Sequence, residues 1–96
     1  MPERAQLTLI AFDLADDKRR RRLVKVLESF GVRAQESVFE AWLTERERQK
    51  LLYQANRQIN AEADRLAVYV LSPIDFADIV SLGAGKVAED ITYLVF

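Results

Sequence analysis

Cysteine and histidine are both absent from this 96-residue chain. Without cysteine the chain can form no disulfide and no thiolate nucleophile, and most structural zinc sites are excluded. Without histidine it lacks the Ser-His and Cys-His triads and the usual imidazole general base. If the chain is an enzyme, its chemistry has to come from carboxylates, hydroxyls, cations or a metal-bound water.

Long apolar runs are also missing, and charge is nearly balanced. No stretch approaches the roughly 20 apolar residues of a transmembrane helix, and residues 1–6 lack the apolar region of a signal peptide. We therefore expect a cytoplasmic protein with a single domain over residues 1–96. The net charge of -1 hides an uneven distribution, because residues 18–22 are all cations. A nucleic-acid partner is therefore not excluded.

The first part of the chain has the hydrophobic pattern of a strand followed by a helix. Residues 7–14 predict a strand with apolar residues on both faces, and residues 65–71 predict another buried strand. Either Asp16 or Asp17 can cap a helix that runs to about Phe30, with Gly31 at its end. The expected buried side of this helix consists of Leu23, Leu27 and Phe30.

The middle and the end of the chain continue this alternation. Residues 32–43 are extended, either as one strand or as two that reverse near residues 36–37. Thr44 and Glu47 form the pattern of a capping box, which opens a second helix. Residues 91–96 predict a final strand. The second helix is expected to carry Leu51, Leu52, Ala55 and Ile59.

This order of elements predicts an α+β, ferredoxin-like βαββαβ sandwich with an additional C-terminal strand. In that fold both helices cover one face of an antiparallel sheet. The strand over residues 7–14 is apolar on both faces, and the two helices can cover only one of them. We therefore expect a homodimer, in which a second subunit covers the other face.

The basic residues 18–22 lie where a helix starts. The free N–H groups at that end carry partial positive charge, so cations are electrostatically unfavourable there. One interpretation is a solvated helix start with the pairs Asp16–Arg20 and Asp17–Arg21. The other is a phosphate site, since backbone amides and guanidinium groups together suit phosphate.

Asp13 ends an otherwise apolar strand face, where an ionised carboxylate needs a partner. It could cap the following helix, pair with an arginine, or bind a hard metal ion. A twofold axis would supply a second Asp13, and water and a phosphate oxygen would complete the coordination of Mg²⁺. Metal-bound water would then replace the missing histidine base. Phe39 and Trp42 are interpreted as core residues rather than base-stacking platforms.

The stretch IAFDLADDKRRRRLVKVLESFGVRAQESVFEAWLT resembles the signature of the small CRISPR-associated adaptation proteins, the nuclease-like partners of the CRISPR integrase. That signature has a strand ending in Tyr-Asp, then Asp-Asp-Lys with arginines and an amphipathic helix. A segment Gly-x-Arg-Val-Gln-x-Ser-Val-Phe-Glu follows. The matches cover about the first half of the chain, and the second half agrees in layout.

The resemblance implies a ferredoxin-like homodimer with the two copies of Asp13 facing each other across the twofold axis. It implies a Mg²⁺- or Mn²⁺-dependent endonuclease on single-stranded RNA, DNA or both, with Asp13 as metal ligand and catalytic residue. Arg20, Arg22 and Arg33 fall at cation positions of the family and would bind nucleic acid. Phe39 falls at the family phenylalanine and is a candidate substrate contact.

Two departures from the family signature concern the surroundings of Asp13. Phe12 stands where tyrosine is common, and Ala15 replaces a frequent Ser or Thr, so two hydroxyls are absent. The main alternative to an enzyme is a non-catalytic dimeric scaffold that binds duplex DNA and bridges integrase dimers during spacer acquisition. A toxin-type ribonuclease also remains open. A ligand-sensing regulatory domain is disfavoured by the arginine block and by the lack of a glycine-rich ligand loop.

Overall fold

The computed structural model describes residues 4–80 and Leu82. Four strands and three helices alternate along this part of the chain. They are β1 (Gln6–Asp13), α1 (Asp17–Glu28), β2 (Val32–Gln35), β3 (Val38–Leu43), α2 (Glu45–Asn56), β4 (Arg65–Val70) and α3 (Pro73–Ala77).

The strands form one antiparallel sheet in the order β2-β3-β1-β4. This is the ferredoxin-like order, with β1 and β3 in the centre, so the predicted α+β class and arrangement are confirmed. The alternative left open for residues 32–43 is also resolved. Two strands, β2 and β3, reverse at Glu36 and Ser37, and their pairing shifts between Arg33 and Gln35.

The core lies between one face of the sheet and the two long helices. Ile10 and Phe12 of β1 point into it because alternate residues of a strand share a face. Leu23 and Leu27 of α1 are buried there one turn apart, as the predicted helical spacing requires. The buried cluster consists of Ile10, Phe12, Leu14, Leu23, Leu27, Phe39, Ala41, Leu43, Leu51 and Ala55.

Helix α1 begins at an aspartate cap, as predicted. Asp16 is the N-cap, and its Oδ2 accepts a 2.9 Å hydrogen bond from the Arg19 N–H. The expected pairs Asp16–Arg20 and Asp17–Arg21 do not form. Asp17 instead pairs with Arg20, three residues on, because the carboxylate of Asp16 is engaged in capping.

Gly31 joins α1 to β2 at a point where no side chain fits. A Cβ atom on this residue would lie 2.3 Å from the Glu40 carbonyl oxygen and 2.6 Å from the Ala41 Cβ atom, both on β3. Close contact with the sheet therefore requires glycine at this position. The helix itself ends before the predicted Gly31, at Glu28, with Ser29 as its C-cap.

Helix α2 opens with the predicted capping box. The Glu47 N–H donates to Thr44 Oγ1 at 3.2 Å, and the Thr44 N–H donates to Glu47 Oε1 at 2.8 Å. Leu51 and Ala55 are buried as expected. Leu52 also belongs to the helix, as predicted, but is 38% exposed. The expectation for Ile59 is wrong, because this residue lies beyond the end of the helix.

A short helix, α3, follows β4 and was not predicted from the sequence. Pro73 was interpreted only as the end of a strand, although proline is well suited to the first helical position. Ser72 and Asp75 bond each other reciprocally, since each backbone N–H donates to the other side chain. The Gly83–Lys86 loop and the strand predicted over residues 91–96 lie outside the described residues.

The face of the sheet away from the helices is called the open face here. Leu9 of β1 lies on it between Glu40 and Tyr69, and Ala11 lies between Val38 and Ala67. Tyr69 is 58% exposed and Leu9 is half-buried. The open face is therefore mainly apolar, as the two-sided pattern of the strand indicates.

Candidate metal and nucleic-acid site

Asp13 is the last residue of β1 and shares the open face with Leu9 and Ala11 by strand alternation. It is exposed. Within the part of the chain that the structure describes, its carboxylate accepts no hydrogen bond and forms no ion pair, although both were plausible from the sequence. Asp16, and not Asp13, caps the helix that follows. The Asp13 oxygens are therefore available to a ligand.

Arg65 is the register partner of Asp13 on β4. Residues directly opposite in an antiparallel pair point to the same face, with Cβ atoms about 4.5–5.5 Å apart. Both residues line a cavity of about 280 Å³. Because a water molecule takes about 30 Å³ of liquid volume, this space admits a hydrated ion or a phosphate group. The described lining consists of Ala11, Phe12, Asp13, Arg65, Leu66 and Ala67.

Asp64 ties together the two loops beside this cavity. Its side chain is fully buried. The Ala15 N–H and the Asn60 N–H each donate to it at 2.9 Å, so the β1–α1 loop and the α2–β4 loop share one acceptor. The Arg19 guanidinium donates to both of its oxygens, through Nε at 2.8 Å and Nη2 at 3.1 Å. The loop that follows Asp13 is thereby held in place.

These contacts also decide the protonation of Asp64. The Arg19 guanidinium, followed by the backbone N–H groups of Asn60 and Ala15, holds the pKa of the Asp64 carboxyl far below its usual range, against the opposing effect of burial. Arg19 gains reciprocally, since the Asp64 carboxylate raises its pKa. The pair is therefore ionised throughout the physiological pH range.

Two of the three arginines predicted to bind nucleic acid use their donors on the chain itself. Arg20 donates through Nη2 to the Leu14 carbonyl at 2.9 Å and pairs with Asp17. Arg33 donates to the Glu36 carbonyl through Nε at 3.1 Å and Nη2 at 2.6 Å. Both guanidinium groups stabilise loops in this conformation.

The third arginine, Arg22, belongs to a row of exposed cations on the outer side of α1. We call this row the basic stripe; it consists of Lys18, Arg21, Arg22 and Lys25. The spacing of three, four and seven residues places these side chains on one helix face. Within the described residues none of the four makes a side-chain hydrogen bond or ion pair. The continuous run of cations therefore separates into two groups in the folded structure. Arg19 and Arg20 donate to acceptors of the chain, whereas the basic stripe faces solvent.

The basic stripe and Asp13 lie on different sides of the sheet layer. Helix α1 covers the face that carries Ile10 and Phe12, whereas Asp13 belongs to the open face. The structure therefore does not bring Arg22 and Asp13 to one common face, although they are close in sequence.

Phe39 is fully buried in the core, at 0% exposure. Its ring packs against Phe12 with a centroid distance of 6.2 Å, and the Arg33 guanidinium lies 6.0 Å from its centroid. In this conformation it presents no surface to a substrate, in agreement with its interpretation as a core residue.

The donor set of Asp13 fits a hard divalent cation in kind but is incomplete in number. A carboxylate oxygen in an open, solvated cavity is a suitable ligand for Mg²⁺ or Mn²⁺. Within residues 4–80, however, no three acidic residues gather around one point. Asp13 is the one carboxylate in the described lining of this cavity, and a second copy of the chain would add another.

Asp64 and Arg65 were not identified from the sequence as residues of the site. Asp64 stands in a polar loop, and nothing in its immediate sequence indicates a buried ion pair with a residue 45 positions earlier. Arg65 could be placed beside Asp13 only once the register of β1 and β4 was known. Fold and site together define a small α+β, ferredoxin-like domain with an exposed strand-end carboxylate and a separate basic helix face.

Comparison with known proteins agrees with this class. The family described as CRISPR associated protein Cas2 matches residues 6–79. A curated relative from Thermus thermophilus, named CRISPR-associated endoribonuclease Cas2, is 49% identical over 65 residues, which cover 68% of this chain and 69% of the relative. The chain belongs to the Cas2 family of CRISPR-associated proteins.

Solved structures support the same assignment. The crystal structure of a hypothetical protein, TT1823 from Thermus thermophilus, superposes with a TM-score of 0.78 at 35% identity, covering 88% of this chain and 99% of that chain. A chain in a partial Cas6-RT-Cas1–Cas2 complex superposes with a TM-score of 0.65 at 31% identity, covering 80% and 90%. Among the described residues, no helix combines the length and apolarity needed to cross a membrane.

Proposed function

We propose that this chain is a Mg²⁺- or Mn²⁺-dependent phosphodiester endonuclease that acts as a homodimer in CRISPR adaptation. The observation that carries the proposal is the exposed Asp13 carboxylate, which has no protein partner within the described residues and lines a cavity large enough for a phosphate group. The relative from Thermus thermophilus bears the name of an endoribonuclease, which supports nuclease chemistry.

The chemistry proposed is hydrolysis of one phosphodiester bond. A water oxygen bonds to phosphorus, and the bond from phosphorus to the leaving sugar oxygen breaks. The attacking water releases a proton, and the leaving oxygen takes one up. A bound divalent ion would supply an acidified water and charge neutralisation. Asp13 would hold that ion through a carboxylate oxygen, and the second Asp13 of a dimer would add another. Asp64 keeps the following loop fixed, so that Asp13 needs little rearrangement on binding.

A second function, that of a non-catalytic scaffold for duplex DNA, is favoured by a specific observation. The basic stripe is exposed, free of acidic partners within the described residues, and on the other side of the sheet from the Asp13 face. Such a surface can bind phosphates without taking part in cleavage. The complex that contains a Cas1–Cas2 assembly supports an integrase as the protein partner.

Arg20 and Arg33 stay predicted nucleic-acid ligands under either function. Each already uses two guanidinium nitrogens as donors to its own chain, so its remaining N–H groups can bind phosphate only in the orientation that these contacts fix. The Arg22 guanidinium has no such constraint within the described residues. We therefore expect Arg22 to contribute more than the other two.

The test is a nuclease assay on purified wild type and Asp13→Asn, with Mg²⁺, with Mn²⁺ and with excess chelator. Asp13→Asn keeps the side-chain shape and removes the charge that holds the ion, so cleavage should fall at least about a hundredfold. Dimerisation and binding of oligonucleotides should remain. Asp78→Asn changes an exposed acid that follows α3, so it serves as the matched control and should cleave normally.

The same assay separates the two functions. Normal cleavage by Asp13→Asn, or cleavage in chelator, would contradict the catalytic assignment. Absence of cleavage in the wild type together with tight, salt-dependent binding would favour the scaffold.

A further inference from the structure

We propose that Arg65 binds the phosphate group of the nucleic acid beside Asp13, so that the first residue of β4 completes the site. This inference rests on the proposed nucleic-acid function and deepens it by naming a substrate-binding residue on a strand for which the sequence indicated no functional residue.

The first observation is position. Arg65 and Asp13 are register partners on neighbouring antiparallel strands, and both are exposed. Their side chains leave the sheet on the same face and line the same cavity. Among the described residues of that cavity, Arg65 is the only cation. A phosphate placed in the cavity therefore meets one carboxylate and one guanidinium.

The second observation is that Arg65 is not engaged elsewhere. Its guanidinium makes no hydrogen bond or ion pair within the described residues, although Asp13 is its direct neighbour. Arg19, Arg20 and Arg33 all donate to groups of their own chain. The contrast indicates that Arg65 has its donors available for an external acceptor.

The chemistry of the pair suits a phosphodiester. A guanidinium presents parallel N–H groups that match two phosphate oxygens, and it stays charged at all relevant pH values. A carboxylate alone would repel the substrate, so a neighbouring cation reduces the repulsion and orients the phosphate. Arg65 can thus bind the substrate while Asp13 holds the ion.

The alternative is that Arg65 only neutralises Asp13. The two ideas predict opposite results when Arg65 is removed. If Arg65 merely balances the charge of Asp13, its loss should raise the affinity for Mn²⁺ and leave oligonucleotide binding unchanged. If Arg65 binds phosphate, its loss should weaken oligonucleotide binding.

The experiment compares Arg65→Gln, Arg65→Lys and the control Arg46→Gln, which removes an exposed cation from α2 on the other side of the sheet. Binding of a labelled single-stranded oligonucleotide is measured by fluorescence anisotropy in Ca²⁺, and cleavage is measured in Mg²⁺. Arg65→Gln should weaken binding roughly tenfold, the usual effect of losing one charged hydrogen-bonded contact. Arg65→Lys should restore part of the loss, and Arg46→Gln should bind like wild type.

The kinetic readout is the division between KM and kcat. Arg65→Gln should raise KM and also lower kcat, because the guanidinium orients the phosphate as well as binding it. Wild-type binding and cleavage by Arg65→Gln, or a gain in Mn²⁺ affinity without loss of binding, would overturn the proposal. The anisotropy measurement requires no cleavage, so it tests Arg65 even if Asp13 proves not to be catalytic. Normal binding by Arg65→Gln would refute the phosphate-binding role of Arg65 and leave the proposed role of Asp13 untouched.

Discussion

At the residue scale, the Asp64 side chain holds two loops together. Its buried carboxylate accepts from the backbone of Ala15 and Asn60 and from the Arg19 guanidinium. These donors come from the loop after β1, the loop before β4 and the first turn of α1. Loss of the carboxylate would leave several donors of partly buried hydrogen bonds without their acceptor, which is more costly than loss of one exposed hydrogen bond.

We predict that Asp64→Asn reduces the dependence of stability on pH in acid. The pKa of Asp64 is lowered in the folded state, whereas it is about 3.9 in the unfolded chain. Its contribution is therefore complete above about pH 4 and is lost as the pH falls through the lower folded pKa. Thermal unfolding of wild type followed between about pH 7 and about pH 2 should show a drop in Tm that is much smaller in Asp64→Asn.

A residual acid dependence is expected in this variant, because the N–H of Arg19 also lowers the pKa of the capping residue Asp16. Asp78→Asn should follow the wild-type curve. An Asp64→Asn curve parallel to that of wild type would show that the ion pair contributes nothing to acid stability. At neutral pH Asp64→Asn should have a lower Tm than either protein.

At the scale of elements, helix α1 presents two chemically different sides. Leu23 and Leu27 pack into the core, and the basic stripe faces outward. Arg19 and Arg20 flank the buried side and fasten the helix to neighbouring loops. The helix is therefore both a structural element and the most cationic described surface of the chain.

We predict that the basic stripe provides most of the salt dependence of nucleic-acid binding. Replacement of all four stripe residues by Gln should weaken binding of any sequence. On duplex DNA it should also reduce the slope of log K against log salt by up to about 0.9 for each phosphate that the protein no longer neutralises. Anisotropy titrations over a range of salt concentrations provide the measurement.

Two further variants serve as controls for the stripe. Replacement of Arg46, Lys50 and Arg57, exposed cations in and directly after α2, should have a smaller effect on the slope. The double variant Arg20→Gln and Arg33→Gln tests the remaining predicted ligands and should lower Tm more than affinity, because both arginines hold carbonyl groups. An unchanged salt slope in the stripe variant would exclude the stripe as the main phosphate surface.

At the scale of the whole molecule, the described part of the chain forms a sheet with one face covered by the two long helices and an open face that is mainly apolar. Leu7 on β1 is buried, whereas Tyr69 on the same face is 58% exposed. A second copy of the chain, packed on the open face, would remove this apolar area from water. The resulting dimer would contain a second Asp13 carboxylate. Dimerisation and the proposed metal site are therefore linked.

We predict that Tyr69→Glu weakens the proposed homodimer, because it places a charge on the open face. Tyr53→Glu is the matched control, since Tyr53 is 68% exposed on α2, away from that face. Sedimentation at micromolar concentration should show wild type and Tyr53→Glu as dimers and Tyr69→Glu shifted toward monomer. Cleavage should fall with the dimer fraction, and a monomeric wild type would remove the basis for a shared site.

The sequence by itself determined most features that depend on near neighbours in the chain. The order of strands and helices, the Asp16 cap, the capping box of α2 and the buried side of α1 all arise within one or two turns, where hydrophobic period and capping groups act directly. The ferredoxin-like class followed from that order. The short helix α3 was also readable in principle, since Ser72, Pro73 and Asp75 form a local start signal.

Only the tertiary structure decided which charged residues are free and which are engaged. Asp64 accepts from Ala15 across 49 positions, and Arg65 meets Asp13 through strand register. Five consecutive cations look alike in the sequence, yet the helix turns Arg19 and Arg20 toward acceptors of the chain and the other three toward solvent. The physical reason is that availability of a charge depends on desolvation and on partners from distant segments, which local propensity does not encode.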